Sequence, residues 1–250
     1  MLGKLIKHEF IFMIKDFTRT YIIYGGVVLL LKLLISIASG SREPGTAMTT
    51  LLVIFAVIYY VFTFVLALLT ISHNVRRFKK NMFSQEGYLT NTLPVTPAQH
   101  VFAKVIVGLC NYILSFIIVY IGILILLAGT GLERYMGKAI TEVMDELNEF
   151  GLLFPTFLSM LTGFLALLLF CYLISSVTSM IGGSKAIGAL LAIGAIIAYI
   201  FVITMLTATM EDNRSDADTR LYIFSLLHGV IAAVEFGVVI HIIKNKLNLQ

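Results

Sequence analysis

Six runs of mostly apolar residues, at 21–39, 50–73, 101–128, 152–179, 186–209 and 221–243, decide what this chain can become. Each supplies about 20 residues or more, enough to cross a hydrocarbon core ~30 Å thick at helical rise. Transmembrane strands would alternate polar and apolar residues over shorter segments, and these runs do not. A helix pairs its own backbone groups, so it is the expected solution in lipid. The runs predict an all-α polytopic membrane protein with six transmembrane helices. Only 13% of the 250 residues are charged and 59% are hydrophobic, whereas an ordinary soluble domain is about a quarter charged.

The distribution of Lys and Arg sets the expected topology. With the N-terminus inside, the cytoplasmic segments hold Lys4, Lys7, Lys15, Arg19, Arg76, Arg77, Lys79, Lys80, Lys104, Lys185, Lys244 and Lys246. The outer segments hold Arg42, Arg134, Lys138, Arg214 and Arg220. That bias places both termini in the cytoplasm of a multi-pass cell-membrane protein. No basic cluster alternates with stacking aromatics, so nucleic acid is not an expected partner. The two cysteines, Cys110 and Cys171, both fall in apolar runs and read as small hydrophobes rather than a disulfide or zinc framework.

Residues 1–19 read as an amphipathic elbow helix ahead of the first span. Leu2, Ile6, Phe10, Met13 and Phe17 recur at spacings of three and four, with Lys4, Lys7, Lys15 and Arg19 largely off that stripe. Such a helix can lie in the inner interface, either as an anchor or as a brace for a partner. A second amphipathic pattern, in the outer loop 129–151, runs Leu132, Met136, Ile140, Val143, Leu147 and Phe150. It reads as a short surface helix or as a plain connector.

The segment 74–100 carries the most specific pattern. It opens on the basic cluster Arg76, Arg77, Lys79 and Lys80 and continues through Gln85-Glu86-Gly87-Tyr88-Leu89 to Leu93-Pro94-Val95-Thr96-Pro97. The two prolines break any continuous helix. Thr96 can cap a new helix starting at Pro97, since proline is favoured at the first helical position. A short helix carrying Tyr88 and Leu89 would fit a partner's groove. A solvated loop whose basic residues only fix topology is the competing reading.

Two ionisable residues, Lys32 and Glu235, fall inside spans. They lie roughly 16 Å and 12 Å above the inner ends of the first and last spans at 1.5 Å per residue. Buried charges in lipid pair or face water, so the two are candidates for an ion pair; the alternative is that Lys32 snorkels outward and Glu235 is protonated. The zinc-protease, nucleophile-elbow and phosphate-loop motifs are all missing. The five histidines are scattered, and no metal site is expected.

This order of parts resembles the permease subunits of the type-two ABC exporter superfamily. The resemblance rests on the amphipathic helix before the first of six spans. It rests also on Glu86-Gly87, Leu93-Pro94 and Lys104 between spans two and three. It implies that Gln85, Glu86, Gly87, Tyr88, Leu89, Leu93 and Pro94 form a coupling segment docked on a nucleotide-binding subunit. ATP and magnesium would then sit on that partner, and this chain would hold no cofactor and catalyse nothing itself. Two permeases, identical or different, would form a pathway that moves a peptide or an amphiphilic or hydrophobic substrate outward by alternating access. Antimicrobial-peptide export or immunity is one physiology that suits it. Larger members insert an outer element between spans five and six, whereas here 210–220 is short and polar. A polytopic sensor or assembly factor that recruits a cytoplasmic partner through the same loop remains the alternative.

Overall fold

The structure, a computed structural model, describes residues 2–39, 46–83, 95–129, 132–149, 151–181 and 217–245, together with 193, 194 and 197. Six helices make up these segments: α1 (Leu2–Ser39), α2 (Thr46–Phe83), α3 (Pro97–Leu127), α4 (Leu132–Glu149), α5 (Leu153–Ile181) and α6 (Ala217–Asn245). All but α4 are long and apolar enough to cross a membrane, which suggests a multi-pass membrane protein. Their most apolar stretches are only 11% to 28% buried within the chain. Most of that surface therefore needs an apolar surrounding outside it. The expected fifth span, 186–209, lies outside the described residues except for Ile193, Gly194 and Ile197, which are helical and exposed.

The elbow helix and the first span, expected as two elements, form the single helix α1. No proline interrupts Leu2–Ser39. One buried stripe passes through the expected junction, carrying Glu9, Met13, Phe17, Tyr24, Val28, Leu31 and Ile35. Met13 and Phe17 belong to the stripe read from sequence, whereas Phe10 is exposed beside Ile11, Phe12 and Ile14.

Helix α2 also differs from expectation. It does not give way to a loop after His73 but carries the basic cluster on three further turns, to Phe83. Packing explains the extension. Leu66, Thr70, Asn74, Phe78 and Met82 are all buried and stand four apart, so one face stays covered to the end. The basic residues also sit well near a helix C-terminus, where the backbone dipole is negative.

Helix α3 begins at the expected cap. The Gln99 and His100 amides donate to the Thr96 carbonyl (3.0 and 3.2 Å), and the Thr96 amide donates to Gln99 Oε1 at 3.1 Å. Gln99 N also approaches Thr96 Oγ1 at 3.4 Å, which completes a capping box. Helix α4 occupies the expected amphipathic loop. Its end is closed by Gly151 N to Asn148 O (3.1 Å) and Leu152 N to Leu147 O (2.7 Å), with Gly151 at a φ of 67°. Those paired bonds are the Schellman closure, which needs a left-handed residue where glycine costs least.

The chain divides into two units. The stem unit comprises Met1–Ile6, His73–Leu109 and Glu146–Gln250; the other comprises Lys7–Ser72 and Cys110–Asp145, and is called the three-helix unit for its parts of α1, α2 and α3, although it also holds most of α4. In the stem unit α5 packs along α6. Six buried residues of α6, Ser225, His228, Ala232, Glu235, Val239 and Ile242, are spaced alternately three and four, with Ile243 buried beside the last. That is the seam of a helix lying nearly parallel or antiparallel to a neighbour.

Candidate functional site

The expected coupling residues Gln85, Glu86, Gly87, Tyr88, Leu89, Leu93 and Pro94 lie outside the described residues. What is described is the pair of helical stems from which that segment springs, and both are held firmly within the stem unit.

On the α2 stem, Phe78 is fully buried and its ring stacks on Tyr172 of α5, with centroids 4.2 Å apart and planes 10° from parallel. Two turns of the α3 stem are buried on nearly every side: Val101, Ala103, Lys104, Val105 and Val107 all belong to the core. Gly108 marks the closest approach, since a Cβ there would stand 2.6 Å from Leu168 Cδ2 of α5. Small residues permit such approaches, and they are common where helices pack in lipid.

Lys104 is the charged member of this core. With the Asn81 amide oriented to satisfy both of its ends, Nδ2 donates to Arg77 O (3.3 Å) and Oδ1 accepts from Lys104 Nζ (3.1 Å). Asn81 thus ties the end of α2 to the start of α3 just below the segment 84–94. Such a buried ammonium needs a fixed acceptor. Arg76, Lys79 and Lys80 stay exposed on the same stem.

The two intramembrane charges have distinct settings. The Lys32 ammonium donates to the carbonyls of Leu126 (3.3 Å) and Ala128, so it caps the C-terminus of α3. Those carbonyls have no partner inside their own helix, and a cation is favoured at that end. Glu235, its expected partner, belongs to the other unit. There it is buried in the α6 seam, and its Oε2 finds no hydrogen-bond partner among the described residues. A carboxylate buried in a helix of membrane-spanning length is costly unless it is paired or protonated.

Within the three-helix unit, hydrogen bonds join α1, α2 and α3 at successive levels. The Tyr21 hydroxyl bonds Asn111 Oδ1 and Ser115 Oγ, each at 2.8 Å, and Ser115 Oγ meets Thr70 Oγ1 at 3.2 Å. Tyr24 Oη bonds Thr63 Oγ1 at 3.1 Å, and Tyr59 Oη donates to the Val119 carbonyl at 2.8 Å. A packed cluster of Tyr24, Val28 and Leu66 fills the space among them.

Sequence reasoning missed Gln99, Asn81 and the Phe78–Tyr172 stack. The Thr96-x-x-Gln99 spacing is a capping-box signature and could have shown the first. Asn81 and Tyr172 have no local signal, because their partners lie 23 and 94 positions away in the chain.

Among the described residues no group of three His, Cys, Asp or Glu side chains could hold a metal ion. No protein-family model, curated protein or solved structure matches the chain.

Proposed function

We propose that this chain is the membrane-spanning permease subunit of an ATP-driven exporter of the type-two ABC kind, with both termini cytoplasmic and six spans. A separate nucleotide-binding subunit docks on 85–94 and hydrolyses ATP with magnesium. A second permease chain completes the pathway in the cell membrane. The substrate class is a peptide or an amphiphilic or hydrophobic molecule.

The observation that best supports this reading is the way the two stems are anchored. A docking segment transmits force only if its base is stiff. Here the base is stiffened by the Asn81–Lys104 hydrogen bond and by the Thr96–Gln99 capping box. Phe78 against Tyr172 then carries any displacement of α2 into α5, and α5 in turn packs along α6. A loop that merely connected two spans would not require so tightly packed a base. Discrete packed elements of this kind are what move as bodies in a switching transition.

Affinity purification of the full-length protein from its native membrane tests the proposal. The expected companion is an ATPase, lost on Tyr88→Asp or Leu89→Asp while the fold survives. An ATPase that stays bound to both variants with transport intact sinks the docking assignment. Purification with no ATPase at all, from membranes in which the protein is active, sinks the permease reading.

A further inference from the structure

The three-helix unit contains an apolar cleft of about 470 Å³ bounded by α1, α2 and α3. Leu31 and Ile35 line it from α1, Ala56 and Tyr59 from α2, and Ile123 and Leu126 from α3. Its volume falls in the range of ligand sites, a few hundred to about 1,000 Å³. It is open to its surroundings, because the lining residues Val53 and Tyr60 are 62% and 73% exposed. Water is a poor occupant, since a buried water needs two to four polar partners. The Tyr59 hydroxyl, a polar group at the wall, is already spent on the Val119 carbonyl. Helices of membrane-spanning length bring the cleft against acyl chains.

Lys32 does not line this cleft but neighbours it. Lys32 follows the lining residue Leu31, and its ammonium rests on the carbonyls of Leu126 and Ala128, on either side of the lining residue Leu127. An ammonium has three N–H donors. Two are taken by these carbonyls, which among the described residues leaves one donor and most of the positive charge next to the lining residues Leu126 and Leu127. Carbonyl dipoles do not neutralise a full charge, and an anionic oxygen would complete the set.

We propose that this cleft holds a resident anionic phospholipid, with one acyl chain between α1, α2 and α3 and the headgroup phosphate on Lys32. The site is independent of the ATPase and of any transported substrate. The bound lipid fills a gap among three helices and fixes the C-terminus of α3.

The test uses the full-length protein in mild detergent containing equal amounts of phosphatidylglycerol and phosphatidylcholine, with retained lipid counted by native mass spectrometry. The wild type is expected to retain one phosphatidylglycerol per chain at about tenfold preference, because phosphatidylcholine carries the same phosphate already neutralised by its own choline cation, which weakens its charge-assisted contact with Lys32. Lys32→Gln should abolish the preference, and Lys32→Arg should restore it. Ile123→Trp and Ala56→Trp fill the cleft from different helices and should lower retention of both lipids. Equal retention of the two lipids by the wild type overturns the proposal without recourse to any variant. So does an undiminished preference in a folded Lys32→Gln protein, or undiminished retention in both folded Trp variants, with folding judged by helical circular dichroism.

Discussion

The two halves of α3 have similar apolar composition and opposite surroundings. From Val101 to Gly108 only Phe102 is exposed, and even the ammonium-bearing side chain of Lys104 is buried. From Ile113 to Ile125 the large side chains Ile113, Phe116, Ile117, Tyr120, Ile121, Leu124 and Ile125 are all exposed. The buried positions of that stretch and its approach are instead Asn111, Ser115 and Gly122. The first half is thus packed like the interior of a soluble protein. The second is arranged as lipid demands, with apolar groups outward and polar or small ones inward. One helix is thus held by different physics at its two ends.

The sharpest test of that contrast removes one phenylalanine from each setting. Phe78→Ala empties a fully buried position and loses the Tyr172 stack. It should cost about 3–5 kcal/mol, seen as a large fall in the thermal midpoint of the detergent-solubilised protein. Phe116→Ala, at a position 60% exposed, should change stability by no more than about 0.5 kcal/mol. Comparable losses from the two would mean that the α3 surface beyond Asn111 is also covered by protein. A second copy of the chain would then be the first candidate for that cover.

A smaller effect separates the two glycines of α3. At Gly108 a new methyl would stand 2.6 Å from Leu168 Cδ2, and Leu168 is itself fully buried with little room to turn. Gly108→Ala should therefore destabilise by about 1–3 kcal/mol, as overpacking does. At Gly122 the nearest atoms, Tyr59 Oη, Val28 Cγ2 and Tyr24 Cε1, would stand 3.2, 3.4 and 3.5 Å away. There the gain of about 1 kcal/mol in helix propensity offsets the crowding, so Gly122→Ala should be close to neutral. The reverse order of losses would show that the three-helix unit is the more tightly packed of the two regions.

The same division explains what could be read from sequence. Five of the six expected span positions were legible, because lipid imposes a length and a composition that hold without reference to any partner; the other, 186–209, lies almost wholly outside the described residues. The Thr96-Pro97 start of α3 and the amphipathic α4 were legible because their signals are local. The continuation of α2 past His73 was hidden. Its covering row, Leu66, Thr70, Asn74, Phe78 and Met82, mixes polar with apolar residues, and the lysines and arginines beside it look like a loop. Lys32 was legible as a charge in a span but not as a cap, since its acceptors are main-chain carbonyls 94 and 96 residues away. The stems of the candidate site thus emerged from packing. The residues expected to dock a partner, Gln85 to Pro94, were legible only by resemblance and fall outside the described residues.

The smallest expected effect probes the polar interior of the three-helix unit. Tyr21→Phe removes the hydroxyl shared by Asn111 and Ser115 and leaves the ring in place. In water-soluble cores an orphaned buried polar group costs about 1–3 kcal/mol. Between membrane helices such bonds are weaker on balance, about 0.6 kcal/mol on average and at most ~1.7, because the separated helices find other partners. A double-mutant cycle of Tyr21→Phe with Ser115→Ala should therefore give a coupling under about 1 kcal/mol. A coupling well above 2 would mean that this seam is sealed from exchange with other partners, as the stem unit is, and the contrast between the two ends of α3 would narrow to one of shape alone. A coupling of zero would mean that Tyr21 and Ser115 do not share the bond, and the joining of α1 to α3 at this level would then rest on Asn111.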